Sequence, residues 1–225
     1  MSVKRVKVSN NVIRRLPRYL RKLDELRDSG INRISSFELG QQLGLTPSQI
    51  RQDFSCFGEF GQQGYGYNVP ALREQIAHIL GTDRGYKGIL IGVGNIGRAL
   101  LCNFRFANWG VNIVAAFDVN PAVIGTEIDG APVKSMDELD AYLKANNIDV
   151  AVLTVPKLAA VPVTNTLTSN GVEAIWNFTN VEITAPDSNI IVENMHFSDS
   201  LLSLCYYISE RQDEKAAKAA KAEKL

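Results

Sequence analysis

Gly92-Val93-Gly94-Asn95-Ile96-Gly97 places three glycines at G-x-G-x-x-G spacing directly after the apolar run Ile89-Leu90-Ile91, and no other stretch restricts the fold of this chain so tightly. A short apolar run of this kind suits a buried strand, and the glycines suit a turn from that strand into a helix. Gly92 permits the tight turn, Gly94 lets the backbone approach a pyrophosphate, and Gly97 lets helix and strand pack closely. The phosphates then fall on N–H groups at the helix N-terminus, which include those of Asn95 and Ile96. A second β-like run, Val111 to Phe117, ends in Asp118, twenty-one positions beyond Gly97, where a carboxylate accepts hydrogen bonds from ribose hydroxyls. Asp118-Val119-Asn120-Pro121 brings no arginine to offset a 2′-phosphate, so the pattern favours NAD over NADP. Three glycines that only make a tight turn are the competing reading, and it leaves the strand before, the helix after and the acid at that distance unaccounted for.

The α/β alternation continues beyond Asp118. A helix is expected near Met136 to Asn146, a strand over 150–155, a helix near Lys157 to Ser169, and strands at Ala174 to Phe178 and Ile190 to Val192. This is the pattern of a doubly wound parallel sheet, whose strand ends at Thr154-Val155-Pro156 and Asn177-Phe178-Thr179 face the cofactor crevice. A closing helix, Ser198 to Glu210, carries Leu201, Leu204, Cys205 and Ile208 on one stripe and Leu202 and Tyr206 on another. That is more apolar girth than a surface helix needs, so a partner subunit is expected to cover one face, giving a homodimer. The alternative is a helix covered wholly by its own domain. Residues 211–225, rich in Lys and Ala, read as a solvated helical tail.

The chain carries no net charge, yet residues 1–86 hold 13 basic and 8 acidic side chains and residues 87–225 hold 11 and 16. The positive excess lies mostly in residues 1–33, which raises nucleic acid as a partner; a solvated basic face is the other reading. From Asn10 to Asp28, Ile13, Leu16, Leu20 and Leu23 recur at helical spacing, and Pro17 predicts a kink or a start near it. Ser35 with Glu38 forms a capping box for a short helix to Leu43, Gly44-Leu45 turns, and Thr46-Pro47 opens a third helix to Ser55. Helix, glycine turn, helix is the helix-turn-helix outline, and its second helix presents Ser48, Gln49, Arg51 and Gln52 to a major groove. The glycine–aromatic alternation from Phe57 to Tyr67, which includes Gln62, Gln63, Gly64 and Tyr65, suits a β-hairpin wing against the adjacent minor groove. A fourth helix runs from Val69 to Leu80, and 81–86 is a polar linker. The fold class is therefore α/β, a winged helix-turn-helix over 1–84 followed by a Rossmann-type sheet with its closing helix over 85–210 and the tail over 211–225.

Cys56, Cys102 and Cys205 are widely spaced, with no metal-ligand spacing to a histidine, and read as reduced thiols; no metal is expected. No signal-peptide pattern or membrane-length apolar run is found, which points to a cytoplasmic protein without membrane contact. An NAD-dependent dehydrogenase is the first rival reading. It needs an acid or base and a substrate pocket, yet there is no Tyr-x-x-x-Lys, only two histidines exist, and no second catalytic domain follows the sheet, so no enzyme is expected. A dinucleotide-binding regulator acting on protein partners is the second.

Over roughly residues 8–210 the chain resembles the Rex family of bacterial redox-sensing transcriptional repressors. The motifs that carry the resemblance are Arg15-Leu16-Pro17-Arg18-Tyr19-Leu20-Arg21, Gln49 to Gly61, Gly64 to Val69, Gly92 to Gly97, Ala116-Phe117-Asp118-Val119, Leu153-Thr154-Val155-Pro156 and Asn177-Phe178. The resemblance implies a homodimer with swapped C-terminal helices that binds a palindromic, AT-rich operator DNA when NAD+ dominates and lets go when NADH fills the site. It also implies that Phe197 enters the partner's nicotinamide pocket, and that an arginine matching Arg21, an Asp and a Tyr link cofactor state to the DNA-binding domain. This chain retains Arg21 but has His196 and Asn103 at the other two positions. Its Gln52, Gln62 and Gln63 replace residues that are usually basic. These departures predict weaker or altered operator contacts and a switch made of other contacts, with His196 a candidate for pH dependence.

Overall fold

The protein is described by a computed structural model covering residues 8–58, 61–62, 65–184 and 189–222, and it divides into two units, Met1–Arg84 and Gly85–Leu225. In the N-terminal unit α1 (Asn10–Asp28) is followed by β1 (Arg33–Ile34), α2 (Ser36–Leu43), α3 (Pro47–Ser55), β2 (Gly61–Gln62), β3 (Gly66–Asn68) and α4 (Val69–Leu80). The helix starts follow from local chemistry. The Ser35 hydroxyl accepts from the Glu38 N–H while Glu38 accepts from the Ser35 N–H at 2.8 Å, and the Thr46 hydroxyl accepts from the Gln49 N–H with Pro47 in the first turn. Between α2 and α3 the chain turns at Gly44, whose φ of +66° a side chain would resist.

The α1 span matches the periodicity, but Pro17 does not interrupt it. The buried stripe is Val12, Leu16, Tyr19, Leu20, Leu23 and Leu26, and Ile13, expected inside, is 46% exposed at the edge of that stripe. The wing exists as the antiparallel sheet β1-β3-β2. Its first strand, two residues long, has no sequence signal of its own, because its partner Tyr67-Asn68 lies more than thirty positions away.

The C-terminal unit runs β4 (Tyr86–Ile91), α5 (Asn95–Asn103), β5 (Val111–Asp118), β6 (Glu127–Ile128), β7 (Ala131–Ser135), α6 (Leu139–Ala145), β8 (Val150–Leu153), α7 (Lys157–Ser169), β9 (Ala174–Asn177), β10 (Ile191–Asn194) and α8 (Phe197–Ala222). Its sheet order is β10-β9-β8-β4-β5-β7-β6, parallel except for the β6/β7 hairpin at one edge. Tyr86, assigned to the linker by sequence, opens β4 instead, where its N–H donates to Gly110 O. That hairpin was not expected, since Pro132 and Lys134 obscure the strand pattern and the turn depends on Asp129 and Gly130 at positive φ.

Alternation along β4 separates two cores. Ile89 and Ile91 join Phe117, Leu153, Val163 and Leu167 on one face, while Leu90 joins Leu101, Ala116, Val152 and Phe178 on the other. The chain goes from β4 outward through β5 to β7, then returns to place β8 on the other side of β4. That reversal opens a crevice at the carboxyl ends of β4 and β8. The closing helix α8 continues through Ala222 with no break at residue 210, so the expected boundary between helix and tail is not marked by a helix end. Residues 223–225 of the tail lie outside the described residues. Leu201, Leu202, Leu204, Tyr206, Tyr207 and Ile208 are all exposed on the single chain. Among the described residues no helix is long and apolar enough to cross a membrane.

Candidate nucleotide cleft and helix-turn-helix surface

At the crevice the three glycines meet three different demands. Gly92 has φ +96°, and a Cβ there would lie 2.8 Å from Thr154 O. A Cβ on Gly97 would lie 2.0 Å from Gly92 O and 2.8 Å from the Thr154 hydroxyl oxygen. Gly94, in contrast, faces open space, with nothing within 4 Å of a built Cβ. The first and third glycines are thus required by packing, and the middle one keeps a surface clear. The Thr154 hydroxyl donates toward Gly92 O at 2.6 Å and Ile91 O at 3.0 Å, which ties the end of β8 to the glycine turn.

The turn is also held from the other side. One oxygen of Asp118 accepts from the Val93 N–H and the other accepts from the Asn120 N–H at 2.7 Å. The carboxylate therefore sits at the edge of the cleft, oriented by two backbone donors, with lone pairs left for further hydroxyl donors. Gly94 caps α5 without a side-chain bond, so the amides of its first turn are available to an anion.

The cleft has a volume of about 860 Å³. Of the residues expected at the cofactor, Gly92, Gly94, Asn95, Ile96, Asp118, Val119, Thr154, Val155, Pro156 and Phe178 line it. Four do not. Val93 is 5% exposed and contributes its N–H to Asp118; Gly97 lies beneath the turn; Phe197, half exposed at the start of α8, stacks at 6.0 Å on Phe178. Asn177 corrects the sequence expectation most clearly. It is 1% exposed, donates to Val181 O and to the Asn194 side chain at 2.7 Å each, and accepts from the Thr179 N–H and hydroxyl. It organises the wall of the cleft from behind, because a buried amide bonded four ways has no group left to offer a ligand. Thr179 lines the cleft as its strand-end position implied, while Met136, Lys157 and Asn180 line it without having been singled out. Lys157 was legible as the residue following Thr154-Val155-Pro156; Met136 depends on the unanticipated β7.

The three expected switch residues have separate surroundings. Arg21 is exposed on α1. Asn103, exposed in the last turn of α5, donates to Ala99 O at 3.0 Å. His196 lies just ahead of α8 with Nε2 2.9 Å from a Glu182 carboxylate oxygen. Glu182 also accepts from Asn194 at 3.3 Å. No sequence signal points to Glu182, since its pairing with His196 depends on the return of the chain through β10.

In the N-terminal unit α3 turns Ser48, Arg51, Gln52 and Ser55 outward and Ile50, Asp53 and Phe54 inward. Gln49 departs from the expected DNA-facing set. Its amide donates to Asp53 Oδ1 at 2.8 Å, so its position, one turn from Asp53, directs it toward α1. Arg51 donates to the Ser36 hydroxyl at 2.9 Å, and Ser48 shares a hydroxyl contact with Thr46. In the wing Tyr65 is 70% exposed, with the Arg33 guanidinium 5.9 Å over its ring. The backbone of Gln62 forms part of β2, while Gln63 and Gly64 lie outside the described residues.

Asp53 is fully buried and accepts from Arg15 Nε (2.6 Å), Arg15 Nη2 (2.7 Å) and the Tyr19 hydroxyl (2.6 Å) as well as from Gln49. Burial pushes its carboxyl up, but the hydrogen bonds from Arg15, Tyr19 and Gln49 outweigh that and hold it below the usual carboxylate range. Sequence reading missed this cluster, because Arg15 and Asp53 are 38 positions apart.

Two family models match separate stretches of the chain. Residues 83–181 match the CoA binding domain family and residues 7–55 the family described as putative DNA-binding protein N-terminus. A redox-sensing transcriptional repressor Rex of Clostridium beijerinckii is 49% identical over 205 residues, covering 91% of this chain and 97% of its own. That of Clostridium tetani is 46% identical, covering 93% and 99%. Among solved structures, RSP, a Rex-family repressor, superposes with a TM-score of 0.85 at 41% identity, covering 95% of this chain and 99% of its own. RSP has also been solved with beta-NAD+ and operator DNA, and with beta-NADH; these match at 42% and 40% identity, each with a TM-score of 0.85.

Proposed function

The chain belongs to the Rex family of redox-sensing transcriptional repressors, and from that membership we infer how its two units divide the work. It is a repressor whose cofactors are NAD and NADH and whose partner is operator DNA, as in the RSP complexes; the family is one of regulators rather than enzymes. The observation that carries the reading is the cleft itself. A glycine kept bare at Gly94, free amides at the start of α5 and a carboxylate oriented at the end of β5 fit a pyrophosphate and an adenosine ribose in turn. The bound nucleotide supplies the redox signal; the residues of this chain bind and orient it.

In the proposed assignment residues 85–210 hold the dinucleotide and residues 1–84 hold the DNA. Ser48, Arg51 and Gln52 contact the major groove, and the wing from Gln62 to Tyr65 enters the minor groove. The exposed apolar surface of α8 supports a homodimer with exchanged helices, and two-fold symmetry then calls for a palindromic site, proposed as AT-rich. Residues 211–225 serve as a solvated tail. Arg21, Asn103 and His196 remain the proposed link between cofactor and DNA unit, with Glu182 now the first partner of His196. Operator binding places the protein in the cytoplasm.

Fluorescence anisotropy of a labelled AT-rich palindromic duplex tests the reading. NADH is expected to release the DNA and NAD+ to leave it bound. Binding that is indifferent to both would mean that the switch is lost. In the same assay Arg51→Ala weakens operator binding by about 1–3 kcal/mol, while calorimetry finds NADH affinity unchanged. An equal loss of both would contradict the division between the units.

A further inference from the structure

Charge is distributed unevenly along the cleft. Among the described residues its charged lining side chains are Asp118, at the end of β5, and Lys157, which opens α7 after β8. The strand order puts β4 and its glycine turn between these two, with β9 beyond β8. A dinucleotide with its ribose at Asp118 and its pyrophosphate over the turn directs its other half across the ends of β8 and β9, where Val155, Pro156, Lys157 and Phe178 form the wall. Two sources of positive charge meet there. Lys157 has no carboxylate within ion-pair distance among the described residues. The N-terminus of α7, capped by Pro156 without a side-chain bond, adds the positive end of its dipole.

We propose that Lys157 is the residue by which the cleft distinguishes oxidised from reduced nicotinamide. NAD+ carries a pyridinium cation on the ring, and the dihydronicotinamide of NADH is neutral. Phosphates, riboses and adenine are the same in both. An ammonium at the nicotinamide end therefore disfavours NAD+ by a repulsion that NADH escapes, whereas its attraction to the shared pyrophosphate cancels when the two are compared. The proposal rests on the dinucleotide reading of the cleft and adds the source of its preference.

Calorimetric titration of the full chain with NAD+ and with NADH reads out the ratio of the two dissociation constants. Lys157→Gln is expected to reduce the advantage of NADH about tenfold, with Lys157→Arg retaining it. Asp118→Asn, at the far end, weakens both ligands by similar factors and leaves the ratio in place. A ratio unchanged in Lys157→Gln overturns the proposal; if both ligands weaken equally, Lys157 is only a pyrophosphate anchor. Failure of the unaltered protein to bind either nucleotide overturns the dinucleotide reading itself, and the proposal with it.

Discussion

Asp53→Ala destabilises the N-terminal unit by about 3–5 kcal/mol, because it leaves the Arg15 guanidinium and the buried Tyr19 hydroxyl without the carboxylate both donate to. Few single changes at a helix-turn-helix carry so large a cost, and the reason is the site's completeness. Each Asp53 oxygen accepts two hydrogen bonds, so the charge is fully compensated with no exposure to water. The pH dependence follows from the lowered pKa. Stability from this group is present above about pH 4, the unfolded carboxyl value, and is lost as pH falls through the lower folded value. Both tryptophans, Trp109 and Trp176, belong to the C-terminal unit. Loss of helical circular dichroism ahead of the tryptophan transition in denaturant therefore isolates the effect. A midpoint within about 1 kcal/mol of the unaltered protein would show that the network is dispensable. Operator affinity should fall in the same variant, because α3 loses its tie to α1.

The second large effect separates two glycines of one motif. Gly97→Ala forces a Cβ to within 2.0 Å of a backbone oxygen. Backbone cannot yield as a side chain does, so a loss of about 3 kcal/mol or more is expected, with nucleotide binding lost as the turn shifts. Gly94→Ala meets nothing within 4 Å, and its transition midpoint should remain that of the parent. NADH affinity nevertheless falls more than tenfold if a phosphate occupies the space a methyl would take. Tryptophan fluorescence in denaturant and calorimetry with NADH measure the two quantities independently. Parent-like NADH binding by Gly94→Ala would place the pyrophosphate elsewhere.

Much of this architecture was legible in the chain. The capping box at Ser35 and Glu38, the Thr46-Pro47 start and the G-x-G-x-x-G turn are local signals, each read within a few residues and each found where expected. The cleft-lining residues Gly92, Gly94, Asn95 and Ile96, with Asp118 and Thr154 to Pro156, followed from the glycine motif and the strand ends alone. Ile13, Asn177 and Gln49 show where that reading stops. Helical periodicity admits both Val12 and Ile13 to the stripe, and only packing against the rest of the unit puts Ile13 at its edge. Asn177 stands at a strand end, which sequence counts as facing the cleft, but the loop through Val181 and strand β10 claim every donor and acceptor it has.

What the sequence determined by itself is the main helices and strands (but not β1 or the β6/β7 hairpin), their order, the glycine-turn chemistry and the sign of charge at Asp118, because these depend on residues within one turn or one strand of each other. Tertiary structure alone decided which polar groups spend themselves inside the protein. Asp53 with Arg15 and His196 with Glu182 are pairings of residues distant along the chain. Their meeting is set by loop closure and strand order, which no local pattern encodes.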